Sequence, residues 1–262
     1  MEAPRRSAWL CLALLLVLFR PAISQDTLKI GYFEGPPHVY MENGEVVGAA
    51  VDYFELIADK MGLEHWQFEY TPINRLFDYL ESGKMDVGLN FGKTDERSAR
   101  FAYPAEPFST TAHALAVRID FPLSEIRSVE DLIPLRLGYL KGANHPGMLG
   151  DPRLQYHYIY GREASRQNVL RVRAGRIDAA VASQDELVYH IWKLHLQNEL
   201  KILALPGTSF GLYTIMSPPC ATLHLKDYEK ALQELQEEIT YPEVLDSYMR
   251  GMNHPALSTD RQ

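Results

Sequence analysis

"LESGKMDVGLN" occupies residues 80–90, and "VRAGRIDAAVA" occupies residues 172–182. Each reads as a helix end, a glycine, a basic residue, an apolar residue, an aspartate and then an apolar run. Gly83 and Gly175 lie 92 positions apart, and so do Asp86 and Asp178. A glycine just past a helix can take the left-handed conformation that closes it. A short apolar run after such a stop is a buried strand. Any helix-to-strand connection can look like this, but the shared aspartate and matched strand length argue for two lobes of similar build.

Working outward from the first copy, the pattern alternates. "LKIGYF" (28–33) is a strand. "VDYFELIADKM" (51–61) sets Val51, Phe54, Ile57, Ala58 and Met61 on one helical face and ends at Gly62. "WQFEY" (66–70) alternates as a strand, and Ile73, Leu76, Phe77 and Leu80 have helical spacing. Around the second copy, Ser128 and Asp131 form a capping pair. "LRLGYL" (135–140) is a strand, 165–174 a helix, "DELVYHIWKLHL" (185–196) a helix and "LKILAL" (200–205) a strand. "LYTIM" follows as another strand, then helices over 226–239 and from Pro242 to Met252. Alternation of this kind predicts an α/β fold with largely parallel sheet. No low-complexity linker separates the lobes, so the chain crosses between them more than once. Ser109 to His113 and Gly207 to Gly211 are the hinge candidates by position.

The N-terminus has a different character. Arg5 and Arg6 precede an apolar run from Ala8 to Phe19, with small residues at Ala22 and Ser24. This three-part pattern predicts a secretory signal peptide, residues 1–24, cleaved after Ser24. The run is too short to span a bilayer. Cys11 lies inside it, which argues against a lipid-anchored new N-terminus. Cleavage removes Glu2, Arg5, Arg6 and Arg20 and takes the formal net charge from −8 to −10. That balance gives no basic footprint for nucleic acid. Cys220 is then the one cysteine left, so no internal disulfide is expected.

Catalytic signatures are missing. There is no G-x-S-x-G elbow, H-E-x-x-H helix, phosphate loop or dinucleotide glycine pattern. The nine histidines show no metal-ligand spacing, and no cofactor is expected. In an open α/β sheet, ligands bind beyond the carboxyl ends of the strands. Those ends are 31–40, 90–94, 141–147 and 183–185. In "NFGKTDERSARFAYP" (90–104), Thr94 can cap a helix whose first turn holds Asp95, Glu96 and Arg97. A cation belongs at the other helix end. Arg97 is either a surface ion pair with Glu96 or another acid, or a bidentate clamp for a carboxylate ligand.

The blocks "LKIGYFEGPPHVY", "GAAVDYFELIADKMG", "LESGKMDVGLNFGKTDERSARFAYPAEPF", "DLIPLRLGYLKGAN" and "RAGRIDAAV" together resemble the family 3 solute-binding receptors of ABC importers. The similarity runs from about Leu28 to Met252, and the Asp-to-Thr-x-x-Arg block is its most specific part. It implies a type II periplasmic-binding-protein fold: two lobes, two crossing hinge strands and a ligand cleft between them. The implied lobes are 25–111 with 209–262, and 112–208. It also implies a soluble periplasmic monomer that hands its solute to a membrane permease, with Arg97 on the ligand carboxylate. Asn90, Gly92 and Thr94 would help, as would the turn Gly142, Ala143 and Asn144. The side-chain pocket maps onto Glu34, His38 and Ile73.

Three stretches depart from the family pattern. Ser183 stands where an aspartate usually holds the ligand ammonium, and Asp185 lies two residues on. Gly48, Ala49 and Ala50 replace a Gly-Phe-Asp block. Gly35 replaces an aromatic that often covers the ligand. The expectation is therefore a carboxylate ligand that is not an ordinary α-amino acid, or one whose ammonium is met by Glu34 or Asp185. Two other classes share the scaffold: an enzyme resembling the cyclohexadienyl dehydratases, and a sensor partner of a membrane kinase.

Overall fold

The computed structural model describes residues 27–251. The predicted leader and its cleavage site, with the last residues of the tail, lie outside the described residues. Ten strands and seven helices follow in chain order. They are β1 (Leu28–Tyr32), β2 (Tyr40–Glu42), β3 (Glu45–Val47), α1 (Ala49–Met61), β4 (Trp66–Tyr70), α2 (Ile73–Glu81), β5 (Val87–Gly92), α3 (Asp95–Ser98) and β6 (Ser109–Arg118). There follow β7 (Arg136–Leu140), β8 (Gln155–Ile159), α4 (Ala164–Arg173), β9 (Ala179–Ser183), α5 (Gln184–Lys193), β10 (Leu200–Met216), α6 (Pro218–Glu238) and α7 (Tyr241–Gly251).

Eight strands form one continuous sheet in the order β4-β1-β5-β10-β6-β9-β7-β8. The two outer thirds are parallel: β1 lies between β4 and β5, and β7 between β8 and β9. The central pair, β10 and β6, runs antiparallel to its neighbours. Both central strands pass from one lobe to the other, so they are the crossing hinge strands. "LKILAL" and "LYTIM" are two stretches of the 17-residue β10, whose register shifts between Ala204 and Ser209. The hairpin β2–β3 was not anticipated, although Asn43 and Gly44 carry its turn with φ of 53° and 90°. Nor was β8 anticipated.

Two apolar cores hold the lobes. In lobe 1, Ile30, Tyr53, Phe54, Ile57 and Leu89 pack with Leu232 and Leu235 of α6. Leu76, Leu80, Met85 and Ile215 fill its other face. In lobe 2, Leu115, Leu137 and Val181 form one layer, and Val169, Val172, Ile177 and Leu187 the other.

The sequence echo has a physical meaning. Gly83 and Gly175 share a φ of 68°, in the left-handed region that favours glycine. Asp86 Oδ2 accepts the backbone N–H of Lys29 at 2.8 Å, and Asp178 Oδ2 accepts that of Arg136 at 2.7 Å. Each aspartate ties the strand it precedes to the start of its parallel neighbour. Asp178 also takes a forked contact from the Arg136 guanidinium, at 2.9 and 2.8 Å, which holds its carboxyl below the usual range.

Candidate functional site

Between the lobes lies a cleft with about 630 Å³ of free space, mouth included. Its walls come from the carboxyl ends of β1, β5, β7 and β9 and from both crossing strands.

Arg97 forms one end. Thr94 caps α3, and its hydroxyl accepts the Arg97 N–H at 3.2 Å. The side chain turns inward and is 8% exposed. One guanidinium nitrogen donates to Gly92 O and the other to Gly142 O, both at 3.1 Å. The second bond crosses from lobe 1 to lobe 2. The Phe77 ring lies 4.7 Å from the guanidinium carbon, a cation–π distance. No described carboxylate lies within 4.0 Å of Arg97. Glu96 instead reaches Arg100 at 3.9 Å, and Arg100 pairs with Glu81 at 2.6 Å. Burial lowers the Arg97 pKa, and three of its five N–H groups remain uncommitted among the described contacts.

Glu186 forms the other end. Ser183 caps α5 and accepts the Glu186 N–H at 3.4 Å. The carboxylate turns back to accept the hydroxyls of Ser165 at 3.2 Å and Ser183 at 3.4 Å. It is partly open to the cleft, yet deep enough that burial pushes its pKa up to about 7, against the hydrogen bonds that lower it. Gly35 of lobe 1 faces it: a Cβ there would stand 3.1 Å from Glu186 Oε1. An aromatic ring at position 35 would contest the space this carboxylate fills.

Of the residues expected from sequence, His38, Ile73, Asn90, Gly92, Arg97, Ala143, Asn144 and Ser183 all line the cleft. Gly142 contributes its carbonyl to Arg97, with a φ of 95° and the side chains of Asn74 and Ile73 packed against its α-carbon. Thr94 acts as the cap and borders an outer recess beyond Arg97. Glu34 and Asp185 do not line the cleft. Glu34 meets Arg162 at 3.5 Å and accepts the Glu163 N–H at 3.3 Å, while burial raises its pKa. Asp185 accepts the Thr111 hydroxyl at 3.0 Å and lies 3.7 Å from His38 Nε2.

Glu186 was missed in the sequence reading because "SQDE" (183–186) is a capping box, in which an acid at the third helical position needs no other purpose. His113, Tyr139 and Ser165 carried no spacing signal. Phe33 and Phe91 also line the cleft. Among the described residues no cluster of three or more His, Cys, Asp or Glu could hold a metal ion. None of their helices is long and apolar enough to cross a membrane.

Comparison with known proteins agrees with this architecture. The model of the bacterial extracellular solute-binding proteins, family 3, matches residues 28–251. The probable amino-acid-binding protein YxeM of Bacillus subtilis (strain 168) is 28% identical over 220 residues, which are 81% of this chain and 79% of that protein. An ancestral arginine-binding protein bound to arginine superposes with a TM-score of 0.70 at 22% identity, over 85% of this chain and 97% of its own. The ancestral amino acid-binding protein AncCDT-1, a precursor of cyclohexadienyl dehydratase, gives 0.69 at 19% identity, over 85% and 94%. With its two lobes, crossing strands and interlobe cleft, the chain belongs to the bacterial extracellular solute-binding proteins, family 3.

Proposed function

We propose that this protein is an extracytoplasmic receptor that closes on an α-amino acid and presents it to a membrane permease of the ABC type. The observation that carries the reading is the pairing of Arg97 and Glu186 at two ends of one cleft. A buried guanidinium with no carboxylate partner suits a ligand carboxylate, which it can meet through two parallel N–H groups. A buried carboxyl group suits an ammonium. The serine at position 183 then removes no charge from the site, because an acid one helical turn along supplies it. In this reading the lobes are 25–111 with 209–262, and 112–208, they hinge on β6 and β10, and the chain acts in the periplasm after cleavage following Ser24.

Isothermal titration with the twenty L-amino acids tests the proposal, beside mass spectrometry of solute released on denaturing natively purified protein. Binding of an amino acid that is lost in both Arg97→Met and Glu186→Gln is expected. Amino-acid binding indifferent to either substitution would refute the assignment of the two ends.

One observation favours a second reading. A carboxyl group whose pKa is about 7 is well placed to move protons at neutral pH, so the cleft could serve an enzyme of the dehydratase kind. Conversion of a bound solute during incubation, abolished by Glu186→Gln, would select it over the receptor.

A further inference from the structure

Among the described residues, Arg97 and Glu186 are the two Asp, Glu, Lys or Arg side chains that line the cleft. The histidines that share its wall, His38 and His113, are kept neutral by burial, which lowers both pKa values. With one charge on a ligand carboxylate and the other on its ammonium, the wall has no charge left for a side chain. What it offers instead is an apolar face. Phe33 follows β1, Ile73 opens α2 and Leu140 ends β7, and all three line the cleft. Ile73 is 6% exposed, and Phe33 stands edge-on to Phe91 with ring centres 5.2 Å apart. Phe33 and Ile73 belong to lobe 1 and Leu140 to lobe 2, so this face is complete only when the lobes are together.

The same three side chains also line a second recess of about 400 Å³, mouth included. They form the border between the two spaces, and the charges beyond that border are engaged already. Glu34, in the recess, meets Arg162 at 3.5 Å through one carboxylate oxygen and accepts the Glu163 N–H at 3.3 Å through the other. Lys141 holds its ammonium 4.4 Å from the centre of the Tyr158 ring, a cation–π distance. A cationic side chain that passed the border would meet an acid that has its counter-charge. An anionic one would have to draw Lys141 off its ring. The polar side chains of the cleft are not on this border: Ser165 donates to Glu186, and Asn90 and Asn144 line the cleft but not the recess. A charge buried without a partner is costly, whereas apolar surface laid against Phe33, Ile73 and Leu140 gains from leaving water.

We propose that the ligand is an α-amino acid with an uncharged, apolar side chain, and that Phe33, Ile73 and Leu140 are the residues that set this preference. The proposal rests on the amino-acid reading above and names the class of solute within it.

Titration of the wild-type protein with L-norleucine, L-alanine, L-lysine, L-glutamate and L-glutamine tests it without any variant. Norleucine and lysine have the same side-chain carbons and differ by a terminal ammonium. Norleucine should bind at least about 100-fold more tightly than lysine or glutamate. It should also bind more tightly than glutamine, and about 10- to 100-fold more tightly than alanine. Lysine, glutamate, glutamine or alanine binding as tightly as norleucine overturns the proposal. Leu140→Ala locates the preference. Leu140 is half-buried at a strand end, and the ratio of norleucine to alanine affinity should fall about tenfold in the variant. An unchanged ratio overturns the assignment of the border. Proton NMR of the wild-type complex gives the same answer should that variant fail to fold: the norleucine methyl must show through-space contacts with the Ile73 and Leu140 methyls, and their absence overturns the assignment. Failure of the parent reading is distinguishable, since then no L-amino acid of any kind binds the wild-type protein, or binding is indifferent to Arg97→Met.

Discussion

The turn from β5 to α3 in lobe 1 and the turn from β9 to α5 in lobe 2 use the same backbone device for opposite ends. Thr94 and Ser183 are 89 positions apart, and so are Arg97 and Glu186. In each turn the hydroxyl caps a helix and accepts the N–H of the residue three places on. In each, that residue's side chain enters the cleft. The charges differ. An acid in a first turn is favoured by the partial positive charge there, and a cation is not. Glu186 sits with the helix field; Arg97 sits against it, at the start of a helix of four residues, and is held by two backbone carbonyls instead. Two similar turns facing each other across a cleft, with side chains of opposite sign, make a dipolar site from a repeated scaffold.

The most damaging way to break this comparison is Arg97→Met. Removing one partner of a buried charge pair costs about 2–5 kcal/mol, so titration should show amino-acid binding weakened by about 100-fold or more. Thermal unfolding of the ligand-free protein should change little, because the buried charge that is lost takes its two carbonyl hydrogen bonds with it. Glu186→Gln comes next, with about 10- to 100-fold weaker binding. Its pH dependence has a definite sign. The folded pKa of about 7 lies above the ordinary carboxylate value, so the stability linked to this group is full at acid pH and is lost as pH rises through about 7. Wild-type unfolding temperature should therefore fall relative to Glu186→Gln across that window, while wild-type affinity for an ammonium should rise.

The structural half of the echo responds differently. Asp178→Asn should lower stability by about 1–2 kcal/mol in denaturant melts, through loss of the charged contacts to Arg136, and leave affinity unaltered. The lowered pKa of Asp178 means that its contribution is present above the usual carboxylate range and lost as pH falls through the lowered value. The smallest effect is expected for Arg162→Ala. Arg162 ties lobe 2 to Glu34 and lies 4.0 Å over the Tyr70 ring of lobe 1, but it is substantially exposed. Such a pair is worth about 0–1 kcal/mol. Stopped-flow release of bound amino acid should quicken by no more than about fivefold.

Much of the fold was legible because periodicity and glycine stops are local. The strands at 28–32 and 66–70, the helices at 49–61 and 73–81, and the paired aspartates all follow from neighbours in sequence. The two runs that merge into β10 were harder, since only the sheet decides that Pro206 to Gly211 continue a strand. At the site, Arg97 stood out because it violates the helix-end rule. Glu186 was hidden because it obeys that rule, and His113 because a lone histidine in an apolar strand has no local signature.

The sequence by itself determined the two-lobed plan, the caps and the cation at the strand end, since each depends on residues within a few positions of one another. Tertiary structure alone decided which acid faces that cation. Ser183, Asp185 and Glu186 share one helical turn, yet α5 points Asp185 at Thr111 and Glu186 into the cleft.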